Sequence, residues 1–160
     1  MIRRALGVDP GSAVTGYGVV EGPLGTPGRL IECGVVRPPR TADLPERLQT
    51  LYDGMREDLA NHRPDVVAVE SIFYAKNVRT SLVMSHARGV ILLAAAHAGI
   101  PITEFAPAAV KKAVVGRGHA TKPQVARMVQ QLLRLRCPPQ PADAADGVAI
   151  ALAFLLLHSS

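Results

Sequence analysis

The first third of the chain alternates short apolar runs with turn-forming residues. Three β-prone runs, at residues 5–8, 16–20 and 30–36, are separated by stretches rich in glycine and proline. Runs of this length bounded by turn residues predict strands, and their closeness along the chain favours an antiparallel meander. We therefore expect the fold to begin with three antiparallel strands.

Beyond residue 40 the pattern changes to alternating helices and strands. Apolar residues recur at helical spacing in some segments, whereas a continuous apolar run predicts a strand that is covered on both faces. The predicted elements are helices over residues 44–59, 81–98, 125–133 and 143–157, and strands over residues 66–69 and 102–105. Together with the meander, they predict an α/β fold in which helices flank a five-stranded mixed sheet.

Composition indicates a compact protein. The chain has 160 residues, of which 48% are hydrophobic and 19% are charged. This balance excludes an intrinsically disordered protein, and the length supports a single domain over residues 1–160. The longest apolar stretch, residues 148–157, is about half of the ~20 residues that a membrane helix requires. We therefore expect no association with a membrane.

The N-terminus and the cysteines predict a cytoplasmic protein. Asp9 and Pro10 interrupt the apolar start of the chain, so we expect no signal peptide. Cys33 and Cys137 are far apart in sequence and form no CxxC pair. Such isolated thiols are typical of a reducing compartment.

Basic residues outnumber acidic ones by 18 to 13, which gives a formal net charge of +5. Fourteen of the basic residues are arginines. A guanidinium group can bind a phosphate through two parallel hydrogen bonds, and a basic balance is typical of nucleic-acid-binding proteins. Genomic composition explains an arginine bias equally well, so charge alone does not identify the partner.

Four acidic residues lie where an isolated charge would be costly. Asp9 and Glu70 each follow a buried apolar run, at the edge of the core, where ionisation requires a partner. Asp143 and Asp146 are spaced to lie on one face of a helix, in its first turns, where the helix dipole stabilises negative charge. Among basic residues only Arg4 lies within five positions of any of the three aspartates.

Each of these acids also has a purely structural interpretation. Asp9 can be a turn residue, Glu70 a strand-end residue paired with an arginine, and Asp143 a helix N-terminal acid. If all four carboxylates converge, however, they need cations between them, and their oxygens suit Mg²⁺ or Mn²⁺. Two such ions about 3.5–4 Å apart can hold the attacking and leaving oxygens of a phosphodiester. Spacing along the chain does not show whether the four converge.

Two basic segments are candidates for nucleic-acid binding. The first combines adjacent aromatic residues with polar and basic side chains, a combination that binds unpaired bases by stacking. It comprises Phe73, Tyr74, Lys76, Asn77 and Arg79. The second comprises Lys111, Lys112, Arg117 and Lys122. The structural alternatives are a core position for Phe73 with Tyr74 covering it, and an ordinary solvated face for the second segment.

Five motifs carry a resemblance to a known family. They are residues 7–12 with 15–18 (GVDPGS and TGYG), 69–77 (VESIFYAKN), 87–89 (ARG), 114–118 (VVGRG) and 142–146 (ADAAD). In this order and spacing they resemble the RuvC family of Holliday-junction resolvases, and the similarity extends from residue 2 to about residue 155. The resemblance implies an RNase H-like fold, a homodimer and Mg²⁺-dependent cleavage of four-way DNA junctions.

The resemblance also implies roles for individual residues. The family's four catalytic, metal-binding acids are matched by Asp9, Glu70, Asp143 and Asp146. We expect two Mg²⁺ ions per site, with Mn²⁺ as the alternative. Phe73 matches the aromatic residue that stacks on a base at the opened crossover, and Lys111 and Lys122 match basic residues beside the scissile phosphate. His119 stands where the family usually has a small or polar residue, and nothing assigns it a catalytic role.

The implied activity is junction resolution in recombination and DNA repair. A symmetric dimer would cut opposed strands of a four-way junction and leave 5′-phosphate and 3′-hydroxyl ends. The expected partners are four-way junction DNA, a second copy of the chain, and branch-migration proteins of the RuvA and RuvB families.

Three other functions compete with this one. The same fold can carry a nuclease for RNA or an RNA–DNA hybrid, and a junction-binding module without catalysis is a second possibility. The four intact acids argue against the latter. The glycine-rich segment from Asp9 to Gly18 also resembles the phosphate-binding turn of sugar kinases, but 160 residues leave no room for the second half of such an enzyme. The spacing of a P-loop is absent.

Overall fold

A computed structural model describes residues 1–71 and 77–158 of the chain. Its strands are β1 (Ile2–Asp9), β2 (Thr15–Pro23), β3 (Arg29–Val36), β4 (Val66–Glu70) and β5 (Ile102–Phe105). Its helices are α1 (Leu44–His62), α2 (Val78–His97), α3 (Pro107–Val115), α4 (Lys122–Leu132) and α5 (Ala142–Leu157).

The five strands form one mixed sheet in the order β3-β2-β1-β4-β5. β1 pairs with β2, and β2 with β3, in antiparallel fashion, whereas β4 lies parallel to both β1 and β5. The predicted sheet, with three antiparallel strands followed by parallel ones, is confirmed. Because β1, β4 and β5 run in the same direction, their carboxyl ends meet at one edge of the sheet, which is where ligands bind in open α/β sheets.

The structure contains one helix that the sequence pattern did not predict, and α1, α2 and α4 each extend about three residues beyond the predicted ranges at one end. α3 was not predicted, because its nine residues are too few for a clear apolar period. Its ends carry ordinary helix signals, with Pro107 in the first turn and Gly116 in a left-handed conformation after the last. α4 begins at Lys122, ahead of the predicted residue 125, because Thr121 and Gln124 form a capping box there.

Apolar side chains are buried on both faces of the sheet. On one face, α3, α4 and α5 pack around a cluster that includes Val148 and Leu152. On the other, α1 and α2 pack around Met55 and Ile91. The interior strand β4 is buried from Val66 to Val69, as its continuous apolar run predicts. Within residues 1–71 and 77–158, no helix combines the length and the apolar character needed to cross a membrane.

Asp58, on α1, is a buried carboxyl group on the side of the sheet formed by β2 and β3. The pKa of Asp58 is raised to about 7, mainly by burial and to a lesser extent by the charges of Glu32 and Glu57, while His62 opposes the rise. Burial, followed by the charge of Asp58, raises the pKa of Tyr17, on β2, to about 12. This cluster is separate from the four candidate acids.

The raised pKa of Asp58 makes the free energy of unfolding depend on pH. Its pKa is higher in the folded protein than the ordinary value of 3.8, so the folded state holds the proton more tightly than the unfolded state does. The contribution of Asp58 to stability therefore falls as the pH rises from 3.8 to about 7. We expect Asp58→Asn to unfold at a higher temperature than wild type at pH 8 but not at pH 4.5. Thermal unfolding at both values tests this, and an equal difference at both would contradict it.

Candidate active site

All four candidate acids line one cavity of about 440 Å³ at the edge of the sheet. Asp9 is the last residue of β1 and Glu70 the last of β4. The two strands are parallel neighbours in which Val8 pairs with Val69, so the residues that follow leave the sheet side by side. The sheet thus brings together two carboxylates that are distant in sequence.

The other two acids come from the first turns of α5. Asp143 and Asp146 are one helical turn apart and both point to the cavity. α5 reaches this position because its backbone lies directly against β2: a Cβ on Gly16 would be 1.9 Å from the carbonyl oxygen of Asp143. Only a residue without a side chain permits this approach. The fold therefore brings the four acids to one cavity, which their spacing along the chain did not establish.

The four carboxylates disfavour one another's ionised form, because like charges lie close together in the cavity. Burial raises the pKa of Asp9 to about 7, and Glu70, Asp146 and Asp143 all add to the rise. Burial and the charge of Asp146 also raise the pKa of Glu70. A site in which negative charges are held close together and partly out of water favours the binding of cations.

Two lysines bring positive charge to the same cavity. The Lys122 ammonium nitrogen lies 3.5 Å from Asp146 Oδ2, and this neighbour raises the pKa of Lys122. Lys111, on α3, also lines the cavity and, with Lys122, opposes the rise in the pKa of Glu70. The local sequence around the aspartates contains almost no basic residues, so the fold supplies these cations from other helices.

The donor set fits a divalent cation of the Mg²⁺ or Mn²⁺ type. Four carboxylates line one cavity, and carboxylate oxygens are the ligands that these hard ions prefer. In the part of the chain that the structure describes, no three His, Cys, Asp or Glu side chains are already gathered at metal-binding distances. The fit therefore rests on the chemistry of the donors and their shared cavity.

Several residues of the cavity wall were not identified from sequence. One wall is the loop of residues 10–14, which joins Asp9 to β2, and the others include Met84, Pro107 and Val110. Met84 and Val110 are ordinary apolar residues of helices, and no sequence signal marks them. The loop, by contrast, directly follows a candidate acid, which is a signal that could have identified it.

Of the residues predicted to bind nucleic acid, Lys111 and Lys122 line the cavity. Phe73, Tyr74 and Lys76 lie outside the described residues. The Asn77 side chain caps α2 by accepting hydrogen bonds from the backbone of Arg79 and Thr80. Arg79, Lys112 and Arg117 are exposed and do not line the cavity. His119 is also exposed.

The chain resembles known proteins over nearly its whole length. Residues 5–154 match the family model described as crossover junction endodeoxyribonuclease RuvC. The RuvC of Halorhodospira halophila is 51% identical over 151 residues, covering 94% of this chain and 89% of that protein. The RuvC of Moorella thermoacetica is 49% identical over 148 residues, covering 92% of this chain and 87% of that protein.

A solved structure shows the same fold. The chain superimposes on Thermus thermophilus RuvC in complex with a Holliday junction substrate with a TM-score of 0.89 and 36% sequence identity. The match covers 94% of this chain and 92% of that one. The expected RNase H-like resolvase fold is confirmed.

Proposed function

The chain belongs to the RuvC family of crossover junction endodeoxyribonucleases, and on that premise we propose that the cavity of the four acids is where it cuts Holliday junctions. The observation that carries this proposal is the meeting of four carboxylates and two lysines from five separate elements in one cavity. The roles of the individual residues below are part of the proposal.

Nucleases of this family are generally metal-dependent, and we propose that the four acids of the cavity hold two Mg²⁺ ions, or Mn²⁺ in their place. When bound, such ions would neutralise the carboxylates, lower the pKa of a water molecule and stabilise charge on the phosphate. The high pKa of Asp9 supports this assignment, because the carboxylates need neutralising charge in order to be ionised together at neutral pH.

The protein's own residues orient and stabilise the phosphodiester. Lys111 and Lys122 present ammonium groups to the cavity, where they would offset the negative charge that grows on the phosphate oxygens. The reaction consumes one water: its oxygen forms the new bond to phosphorus, and the bond to the 3′ oxygen breaks. The ends that result are a 5′-phosphate and a 3′-hydroxyl.

We propose that DNA lies across the exposed basic residues beside the cavity. If the four acids and the two lysines of the cavity are set aside, sixteen basic residues remain against nine acidic ones, so the rest of the chain carries a net positive charge. The residues proposed to contact DNA are Lys76, Asn77, Arg79, Lys112 and Arg117, with Phe73 and Tyr74 stacking on unpaired bases. Phosphate contacts of this kind make affinity fall steeply with salt.

A second copy of the chain is proposed to pack on α2. Val78, Leu82 and Leu93 lie on one face of this helix and are 76%, 58% and 49% exposed. Exposed apolar stripes of this kind mark interaction sites. A two-fold dimer would place two cavities at opposed strands of a junction, as paired cutting requires.

The proposed dimer predicts the effect of a charge on that face. We expect Leu82→Glu to convert the dimer to a monomer, because an ionised carboxylate would be buried without a partner. Sedimentation velocity at micromolar concentration measures the change. The matched control is Leu157→Glu, since Leu157 is 50% exposed but lies at the end of α5. If both variants sediment like wild type, α2 is not the dimer contact.

The remaining proposals concern the cellular setting. We propose that residues 1–160 form a single nuclease domain, because both apolar clusters pack on the same sheet. We also propose a cytoplasmic location and, as partners, the RuvA and RuvB family proteins.

The test of the proposed function is a cleavage assay on matched substrates. The protein is incubated at one salt concentration with a synthetic four-way junction, a linear duplex of the same sequence, an RNA–DNA hybrid and a single strand. We expect paired, ligatable nicks on opposed strands of the junction with Mg²⁺, and none with a chelator. Preferred cleavage of the hybrid, or binding of the junction without nicks, would contradict the proposal.

A further inference from the structure

We propose that Arg47 is a positioning residue that anchors the wall of the active-site cavity. Arg47 lies near the start of α1, outside the cavity. Its Nη2 donates a hydrogen bond to the carbonyl oxygen of Ser12 at 3.1 Å, and its Nη1 donates one to the carbonyl oxygen of Pro39 at 3.2 Å. One guanidinium group thus joins two loops to a helix.

The loop that Arg47 holds is part of the catalytic surface. It comprises residues 10–14, which join Asp9, the last residue of β1, to Thr15, the first residue of β2. All five of its residues line the cavity with the four acids. A phosphodiester bound at those acids would therefore lie against this loop, an argument that rests on the proposed function.

The loop is folded tightly, and a small cavity of about 30 Å³ lies behind it. A Cβ on Gly11 would lie 2.2 Å from the carbonyl oxygen of Val14, so the loop turns closely on itself. On its far side, residues 11–15 border a second cavity whose other walls include Leu48 and Val83. This cavity lies between the loop and the two helices behind it. A polar anchor from α1 across this gap holds the loop at a set distance from the helix.

The chemistry of arginine suits this task. A guanidinium group is planar and presents its donors in a rigid fork, so it can donate to two acceptors in different directions at once. A lysine at this position has three donors on one nitrogen at the end of a flexible chain. It can replace one of the two hydrogen bonds but does not reproduce the fork. Arg47→Lys should therefore retain part of the function of Arg47.

Loss of the Arg47 anchor should affect cleavage of the junction and not its binding. Asp9 itself is held by strand pairing with Gly16, and the exposed residues Arg79, Lys112 and Arg117, which are proposed to contact DNA, belong to other segments of the chain. Loss of the anchor should leave junction affinity within about twofold of wild type, since those phosphate contacts remain. It should lower the single-turnover cleavage rate about 10–100-fold, because small misplacements of groups around reacting atoms cost about that much.

The experiment compares Arg47→Ala and Arg47→Lys with the control Arg56→Ala. Arg56 is an exposed arginine of the same helix whose guanidinium carbon lies 5.8 Å from the centroid of the Tyr52 ring. It borders neither of the two cavities that the loop lines, so its loss removes a charge without touching the loop. Junction affinity, single-turnover rate at saturating protein and thermal unfolding are measured for each. We expect a slow Arg47→Ala, an intermediate Arg47→Lys and a control that cuts like wild type, with similar unfolding temperatures for both alanine variants.

A second readout does not depend on cleavage. Hydrogen exchange of the backbone amides in residues 11–15 should become faster in Arg47→Ala and stay unchanged in Arg56→Ala. If Arg47→Ala instead weakens junction binding while bound junction is cut at the normal rate, Arg47 contacts DNA and the proposal is wrong. Unchanged exchange in Arg47→Ala would also overturn it. If wild type fails to cut junctions, the proposed function fails, whereas the exchange experiment still decides the role of Arg47.

Discussion

Replacing Asp9 by asparagine should abolish junction cleavage and leave junction binding intact. The substitution keeps the size and shape of the side chain but removes one of four carboxylates that line the cavity. With one carboxylate fewer, the cavity binds cations more weakly. The reacting phosphate is then stabilised less as well. We expect the single-turnover rate to fall at least about 10²–10³-fold, the loss that follows removal of one preorganised electrostatic group.

Junction affinity should not fall in this variant. The loss of a negative charge that faces the DNA backbone reduces repulsion, so the dissociation constant should be equal to that of wild type or lower. Electrophoretic mobility shift in the presence of Ca²⁺ or a chelator measures binding apart from cleavage. Normal cutting by Asp9→Asn would exclude the four-acid site.

The matched control for this experiment is Asp58→Asn. Asp58 is also a buried carboxyl whose pKa is raised to about 7, but it faces Glu32 and His62 rather than the cavity. The same chemical change at this second site should leave the cleavage rate at the wild-type value. Equal loss of cleavage in both variants would point to a general effect of removing a buried carboxyl and not to catalysis.

Much of the fold was predictable because apolar residues recur at different spacings in its helices and in its strands. The short runs between glycine and proline residues marked the three antiparallel strands, and the continuous run at Val66–Val69 marked a strand buried on both faces. α3 could not be predicted in the same way, since about two and a half turns of helix show little period. Its capping residues, Pro107 and Gly116, were the only local signal.

The site was predictable in its acids but not in its surroundings. Asp9 and Glu70 were identifiable because each ends an apolar strand, and parallel strands bring such ends together. Lys122 is different, because its contact with Asp146 depends on how α4 packs against α5. The hydrogen bond from Arg47 to Ser12 could not be predicted from the sequence either, because its acceptor is a backbone carbonyl, which every residue has.

The closeness of α5 to the sheet predicts a second large effect, that of Gly147→Ala. In most helices this change stabilises by about 0.5–1 kcal/mol, since glycine loses more backbone entropy on folding than alanine does. Here the added methyl group would lie 2.6 Å from the Cα atom of Tyr17 and 2.8 Å from its backbone nitrogen and carbonyl carbon. The backbone of β2, which is paired with a strand on each side, cannot move aside as a side chain can.

We therefore expect α5 to be displaced outward from β2. Overpacking of this kind costs about 1–3 kcal/mol, and because the clash is between backbones the free energy of unfolding should fall by at least that much. Asp146 is the neighbouring residue and Asp143 lies one turn before it, so both carboxylates would move away from Asp9. Cleavage should fall at least about 10-fold in protein that is still folded, because catalysis is sensitive to such shifts.

The matched control is Gly54→Ala, in the middle of α1. The atoms nearest to a methyl group there are the two methyl carbons of Val36, at 3.0 and 3.3 Å, and its Cβ atom at 3.8 Å, and this side chain can shift slightly. Both substitutions make the same gain in helix propensity, so the difference between them isolates what the new methyl group contacts. Chemical unfolding should find Gly54→Ala within about 1 kcal/mol of wild type and Gly147→Ala well below it. If Gly147→Ala is as stable and as active as the control, close packing of α5 on β2 does not position the two aspartates.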